Sequence, residues 1–311
     1  MERGRIINLC GGVYKVLLED GTIKQCKARG KLRNERVIQS NIKSQSKKED
    51  VTYIKNSPKV GDIVNIENDM IQTFDKRKNE LIRPDISNVD QILLIFAAKE
   101  PDFSFYLLDL FIVNIIKQNI KPVIVVTKID KLTEEELSDL KNKLSYYQNM
   151  GYDVLFVSSV NNIGIDDLKK ELSNKITVLS GQTGAGKSTL INVLIPNFEL
   201  KTQEISKSLG RGKHTTRETS LYMYEGGFIG DTPGFSKLSL LGITKEELPL
   251  LFKDFKVSCC KFKDCNHKEN ILGCQIREDS NNGTILKSRY ENYLRMYKEI
   301  EERKWKLHYQ Y

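Results

Sequence analysis

The chain is expected to fold as three successive domains: an all-β barrel over residues 1–72, a central α/β domain over 73–239 and a mainly helical domain over 240–311. Three features lead there. The first seventy or so positions hold short strand-like runs parted by turn residues. From about residue 86, apolar runs of strand length alternate with helical segments, the pattern of a mostly parallel sheet covered on both faces. Past about residue 240 strand character fades, and four of the six cysteines crowd into residues 259–274 ahead of a long helical segment.

In the first region VYKVLLE (13–19) runs into Asp20-Gly21, a tight-turn dipeptide, and TIKQCKAR (22–29) follows as its partner strand. VTYIK (51–55) and DIVNIEN (62–68) are further short strands, and KSQSKKED (43–50) is a polar loop. About five strands in about seventy residues suit a small barrel of the OB type, which often binds nucleic acid; an SH3-like barrel fits the same pattern.

Charge is unevenly spread. The net charge is +8, yet residues 1–60 alone carry fourteen Lys/Arg against six Asp/Glu, and residues 252–311 carry thirteen against nine. Basic ends around a mildly acidic centre point to terminal domains that meet a polyanion, without separating RNA from DNA or an anionic membrane surface. MERGRIINLCGG has no apolar run of signal-peptide length, and ILLIFAA (92–98) is too short to span a bilayer. The expectation is a cytoplasmic monomer without a membrane role, in which clustered cysteines serve a metal rather than disulfides.

The central domain offers QILLIFAA, PVIVVT, DVLFVSS, ITVLSG and GGFIGD as buried strands. Between them, Thr133 with Glu136 three residues later is a capping-box signature opening TEEELSDLKNKLSYY. GQTGAGKS (181–188) fits the phosphate-loop pattern, with an apolar strand before it and the helix STLINVL after it. Gly181, Gly184 and Gly186 let the backbone turn tightly, so that N–H groups across Gln182, Thr183, Ala185 and Thr189 can face phosphate oxygens. Lys187 would reach the β- and γ-phosphates and Ser188 would ligate magnesium.

DTPG (231–234) ends the strand GGFIG. Asp231 there can hold magnesium through water, and the Gly234 N–H can sense a γ-phosphate. TKID (127–130) ends the strand PVIVV and is close to the N-K-x-D guanine motif. Asp130 would accept hydrogen bonds from N1 and N2 of guanine, a donor pair that adenine lacks. Lys128 would lie along the base, and Thr127 stands where Asn is usual. Ser158 and Ser159, in SSV (158–160), sit where a contact to guanine O6 is expected. SLGRGKHTTRETS (208–220) reads as a switch, in which Thr216, or else Thr215, completes the magnesium shell when the γ-phosphate is present.

These parts make a GTPase using GTP/GDP and Mg2+, but in the order guanine loop, phosphate loop, switch, DTPG. The domain is therefore expected to be a circularly permuted P-loop GTPase. After it, Cys260, Cys265, His267 and Cys274 form C-x4-C-x-H-x6-C, a tetrahedral set suited to structural Zn2+; Cys259 could replace Cys260. In the last segment Tyr290, Tyr293 and Tyr297 share a helical face, a spacing that favours packing over base stacking.

The whole chain resembles the ribosome small-subunit-dependent GTPase family of the RsgA/YjeQ type. The resemblance rests on ARGKLR (28–33), IRPDISNVDQ (82–91), GRGKHTTRET, DTPGF, CKFKDCNH, RYENY (289–293) and the permuted motif order. It implies an OB fold, a permuted GTPase and a zinc domain, acting late in assembly of the small (30S) ribosomal subunit. It further implies that the subunit and its rRNA raise a slow intrinsic GTP hydrolysis. Phe235 occupies the place where Ras-like enzymes carry a water-orienting glutamine, so His214 becomes the expected catalytic group, alongside Lys187 and Thr216. The zinc loop departs from the family by one extra residue, expected to bulge at Asn270-Ile271-Leu272. A nucleotide-gated RNA-binding protein and an ATP-using P-loop enzyme are the competing readings.

Overall fold

A computed structural model describes residues 1–33, 35–39, 50–54, 57–81, 85–196, 219–231, 240 and 242–308. Seven strands belong to the first region: β1 (Glu2–Cys10), β2 (Val13–Leu18), β3 (Ile23–Ala28), β4 (Glu35–Gln39), β5 (Asp50–Ile54), β6 (Ile63–Glu67) and β7 (Met70–Phe74). Alternation along β2 sends Tyr14, Val16 and Leu18 inward. The β2–β3 turn forms as expected, with Gly21 at φ +86° and the Thr22 N–H donating to Asp20 Oδ1 at 2.9 Å.

Strands pair in the order β1-β2-β3-β7-β6, and β6 returns to β1, closing a five-stranded barrel. The β3–β7 pair is parallel while the others are antiparallel. That one parallel closure marks the OB type and sets aside the SH3-like alternative. β4 and β5 form a separate hairpin outside the barrel. β1, β4 and β7 are not among the strands expected from the sequence, because polar residues interrupt their apolar pattern.

The barrel is tied to the next domain by a buried polar knot. The wholly buried Asp62 accepts from Arg77 Nε at 2.9 Å, Arg77 Nη2 at 2.8 Å and Ser87 Oγ. Ser87 lies on β9 (Ile86–Ser87), which pairs with β8 (Glu80–Leu81). Gly61, at φ +94°, could carry no Cβ here: one would fall 2.1 Å from Ser87 O.

The central sheet contains β10 (Gln91–Ala97), β11 (Lys121–Thr127), β12 (Asp153–Phe156), β13 (Ile176–Gly181), β14 (Ser220–Tyr224) and β15 (Gly227–Asp231). Their order is β12-β11-β10-β13-β15-β14, all parallel except β14. β10 shows why the sheet is covered twice. Ile92, Leu94 and Phe96 enter a core with α1 (Phe105–Lys117) and α2 (Glu134–Asn149). Leu93, Ile95 and Ala97 enter another with α3 (Ile165–Leu172) and α4 (Lys187–Leu194). The capping box at Thr133 and Glu136 is complete in both directions.

Through β14 the sheet joins the barrel: β1 meets β14 at the pair Asn8↔Ser220, so eleven strands form one sheet. SLYMY, the sequence of β14, is also absent from the expected strands; its polar start and two tyrosines give no clear apolar run.

The C-terminal region holds α5 (Gln275–Asn281) and α6 (Lys287–His308). α6 packs with Phe252, Phe255 and Val113 of α1, and Tyr290, Tyr293 and Tyr297 are buried there as packing residues. Among the described residues no helix is long and apolar enough to cross a membrane.

Candidate nucleotide site and metal centre

The phosphate loop leaves β13 at Gly181, whose φ is +128° and whose Cβ, if present, would lie 2.1 Å from Ile95 O. Only glycine fits so close to the neighbouring strand. Gly184 and Gly186 follow at φ +78° and +80°, and Gly186 is the N-cap of α4. Thr183, Gly184, Ser188 and Thr189 are exposed, whereas Ala185 is buried beneath the loop. The loop's own carbonyls hold Lys187, whose Nζ donates to Gln182 O at 2.6 Å and Gly181 O at 3.2 Å. Burial pushes the Lys187 pKa down, an effect that a phosphate anion beside it would oppose.

The strand end carrying TKID abuts this loop. Thr127 is buried, and its Oγ1 lies 2.6 Å from Ala185 O and 3.1 Å from Phe96 O. Its side chain therefore joins the two loops rather than opening toward solvent. Lys128 is left-handed (φ 57°), and its Nζ donates to Gly184 O at 2.8 Å and to Glu100 O. Asp130 is exposed on the short turn after β11 and accepts a hydrogen bond from Ser158 Oγ. That hydroxyl also accepts from the Asn161 N–H at 3.1 Å. Ser158 thus supports Asp130 from below, while Ser159 is half-buried on the same turn.

Asp231 ends β15, which runs parallel to β13 with Val178 opposite Gly230. The two strands consequently deliver Gly181 and Asp231 to one edge of the sheet, where β11 also delivers Thr127. His214, Thr215, Thr216 and Gly234 lie outside the described residues.

Sequence reasoning missed the loop after β10. Gln182 Nε2 donates to Asp102 O at 2.9 Å, Lys128 reaches Glu100 O, and Pro101 Cδ lies 3.5 Å from the position of a Cβ on Gly184. The signal was available: β10 lies between β11 and β13, so the segment following it must emerge at the same edge.

The metal candidate is Cys260, Cys265, His267 and Cys274, whose ligand atoms all lie within 4.8 Å of one another. His267 Nδ1 is 3.4 Å from Cys260 Sγ and 3.6 Å from Cys274 Sγ. Cys259 is exposed and is not part of the set. Burial pushes the Cys274 thiol up to about 12 and also raises Cys265. Soft donors that resist ionisation when alone are suited to a divalent cation that draws off their protons. Tyr290 Oη donates to His267 O at 2.7 Å and Tyr293 Oη to Asn266 O at 2.9 Å, so α6 holds the knuckle that carries the histidine. The lengthened segment turns at 269–270 and again at 272–273, with Leu272 exposed and Gly273 at φ 72°.

Fold and site together define a GTPase whose strands follow a circularly permuted order. Models of the RsgA GTPase and the RsgA N-terminal domain match residues 74–241 and 3–73. The chain belongs to the RsgA GTPase family. It is 43% identical to the small ribosomal subunit biogenesis GTPase RsgA of Onion yellows phytoplasma, over 97% of this chain and 98% of that one. Its identity to the protein of that name from a Geobacillus species is 40%, over 98% and 99%. Among solved structures it is similar to YloQ, a circularly permuted GTPase, with TM-score 0.76, 33% identity and coverage of 97% and 95%. YjeQ from Thermotoga maritima gives TM-score 0.78, 31% identity and coverage of 96% and 98%.

Proposed function

We propose that this chain binds the small ribosomal subunit through its rRNA and hydrolyses GTP late in subunit assembly, with the subunit stimulating hydrolysis. The carrying observation is the direct joint between base loop and phosphate loop, Thr127 to Ala185 and Lys128 to Gly184. That joint supports reading Asp130 as the guanine-selective carboxylate of the same nucleotide whose phosphates the loop cradles. The basic OB-type barrel and the names of the relatives support the ribosomal side of the reading. The proposed state is a cytoplasmic monomer divided at 1–72, 73–239 and 240–311.

In this reading Asp130, Lys128 and the Ser158–Ser159 turn hold guanine. The backbone from Gly181 to Thr189 cradles the phosphates, and Lys187 neutralises charge developing on the γ-phosphate. Ser188 and Thr216 would hold magnesium directly and Asp231 through water, and Gly234 reads the γ-phosphate. Magnesium, when bound with GTP, would supply positive charge that offsets the charge developing on the phosphates. His214, brought in on the subunit, orients the attacking water. Cys260, Cys265, His267 and Cys274 hold Zn2+ as a structural ion, since four protein ligands leave no open position.

The test is GTP turnover with and without purified small subunits. A rise of less than roughly twofold counts against the assignment, because ordering a catalytic group changes rates far more. His214→Ala should abolish the stimulated turnover and spare GTP binding; stimulation that survives removes the histidine from the mechanism.

A further inference from the structure

The strand β1 of the barrel carries Asn8, which is 5% exposed and donates through Nδ2 to Ser220 Oγ at 2.8 Å. The same two residues are register partners where β1 meets β14. Among the described residues this is the point at which the barrel ladder touches the GTPase sheet. Ser220 has a second neighbour: in the β14–β15 ladder it stands opposite Asp231. Three residues therefore lie in a row across the sheet, Asn8 of the barrel, Ser220 at the end of the expected switch, and the aspartate of DTPG.

Local geometry shows that Asn8 is directed to this place. The β1–β2 register shifts between Ile6 and Asn8. An extra residue of this kind re-aims the side chains that follow it. Ile6 and Ile7 both stay in the apolar core, while Asn8 faces the GTPase edge. Its Oδ1 is buried without a partner among the described residues.

We propose that Asn8 is a positioning residue for GTP hydrolysis, coupling the barrel to Asp231 through Ser220. Polyanion held on the barrel displaces β1, Asn8 carries the displacement to Ser220, and the cross-strand pair carries it to Asp231. The coupling rests on the proposed subunit-stimulated hydrolysis and supplies a route for it.

The experiment uses the full chain with Asn8→Ala, Ser220→Ala, both together, and Ser220→Thr. Values of kcat and KM for GTP are measured with and without small subunits, along with subunit affinity. Either alanine should lower the stimulated kcat at least about fivefold, with KM and subunit affinity changed by less than about twofold. The double variant should be no worse than the singles, since both remove one link, and Ser220→Thr should restore the rate. A stimulated kcat unchanged in both singles, losses that multiply in the double, or a defect confined to subunit affinity would overturn the coupling. Should Asn8→Ala not fold, Ser220→Ala, which deletes one hydroxyl, carries the test. If the unaltered protein shows no stimulation, the functional reading fails on its own. The link is then judged by amide exchange in the free protein: Asn8→Ala must speed exchange at Ser220 and Asp231 but not along β12, and equal exchange refutes it.

Discussion

A hydroxyl has one proton, and Thr127 sits between two carbonyls that both need one. Thr127→Val removes the donor and leaves Ala185 O and Phe96 O facing a methyl group. At about 1–3 kcal/mol for an unsatisfied buried carbonyl, GTP affinity should fall about 5- to 150-fold, read by fluorescent-nucleotide titration. Thr127→Asn brings two N–H donors to the same pair and should not weaken binding. Asp130→Asn should exchange preference from GTP to the xanthosine nucleotide, since an amide can donate where the carboxylate accepts; retained GTP preference would remove Asp130 from base reading. TKID was legible as a strand-end loop of base-loop pattern, yet the contact of Thr127 with the phosphate loop was not. Sequence shows a departure from asparagine, whereas the contact with Ala185 depends on a loop 58 residues away.

The long helix α6 serves two neighbours at once. On one side its tyrosines hold the knuckle of His267; on another, Arg289 is buried between Asp109 of α1 and Asp254, with Nε 2.7 Å from Asp254 Oδ2. Burial opposes the Arg289 charge, but the two carboxylates outweigh it and push its pKa up. Tyr147 and Tyr146 of α2 complete the cluster, donating to Asp109 at 2.9 Å and to Asp254 at 2.8 Å. Arg289→Met strands two carboxylates and should cost about 3–5 kcal/mol, seen as an earlier urea midpoint. Metal retention by a Cys265→Ser variant should drop, while GTP affinity stays near that of the unaltered chain. Protons compete with the metal for thiols held as high as Cys274, so the site's apparent affinity should rise as pH is raised from about 6 to 8. The spacing of cysteines and histidine announced the knuckle. RYENY announced only a helix, because Arg289 and Asp109 are 180 positions apart.

In the proposed reading two chemistries divide the molecule: a basic barrel for polyanion and the strand ends of the sheet for nucleotide. Subunit affinity should therefore fall steeply between about 50 and 200 mM salt through counterion release, with GTP affinity changing far less. Filter binding and nucleotide titration over the same series would separate the two. The alternation of strands and helices, the permuted motif order and a small N-terminal barrel were readable from local pattern; its OB type was not, since it is marked by the pairings of β1 with β6 and β3 with β7, far apart in the chain. The seam between barrel and sheet was not, since Asn8 and Ser220 stand 212 positions apart and β14 carries little apolar signal. The strand order also bears on how the chain is made. Synthesis delivers β10, then lays β11 and β12 outward on one flank; only afterwards does β13 arrive on the other, followed by β14 and β15, with β14 docking last of all against β1, which was made before any of them. A nascent chain thus completes the strands that carry TKID and SSV before any phosphate loop exists, and in the proposed reading guanine nucleotide cannot template folding until translation has passed α4.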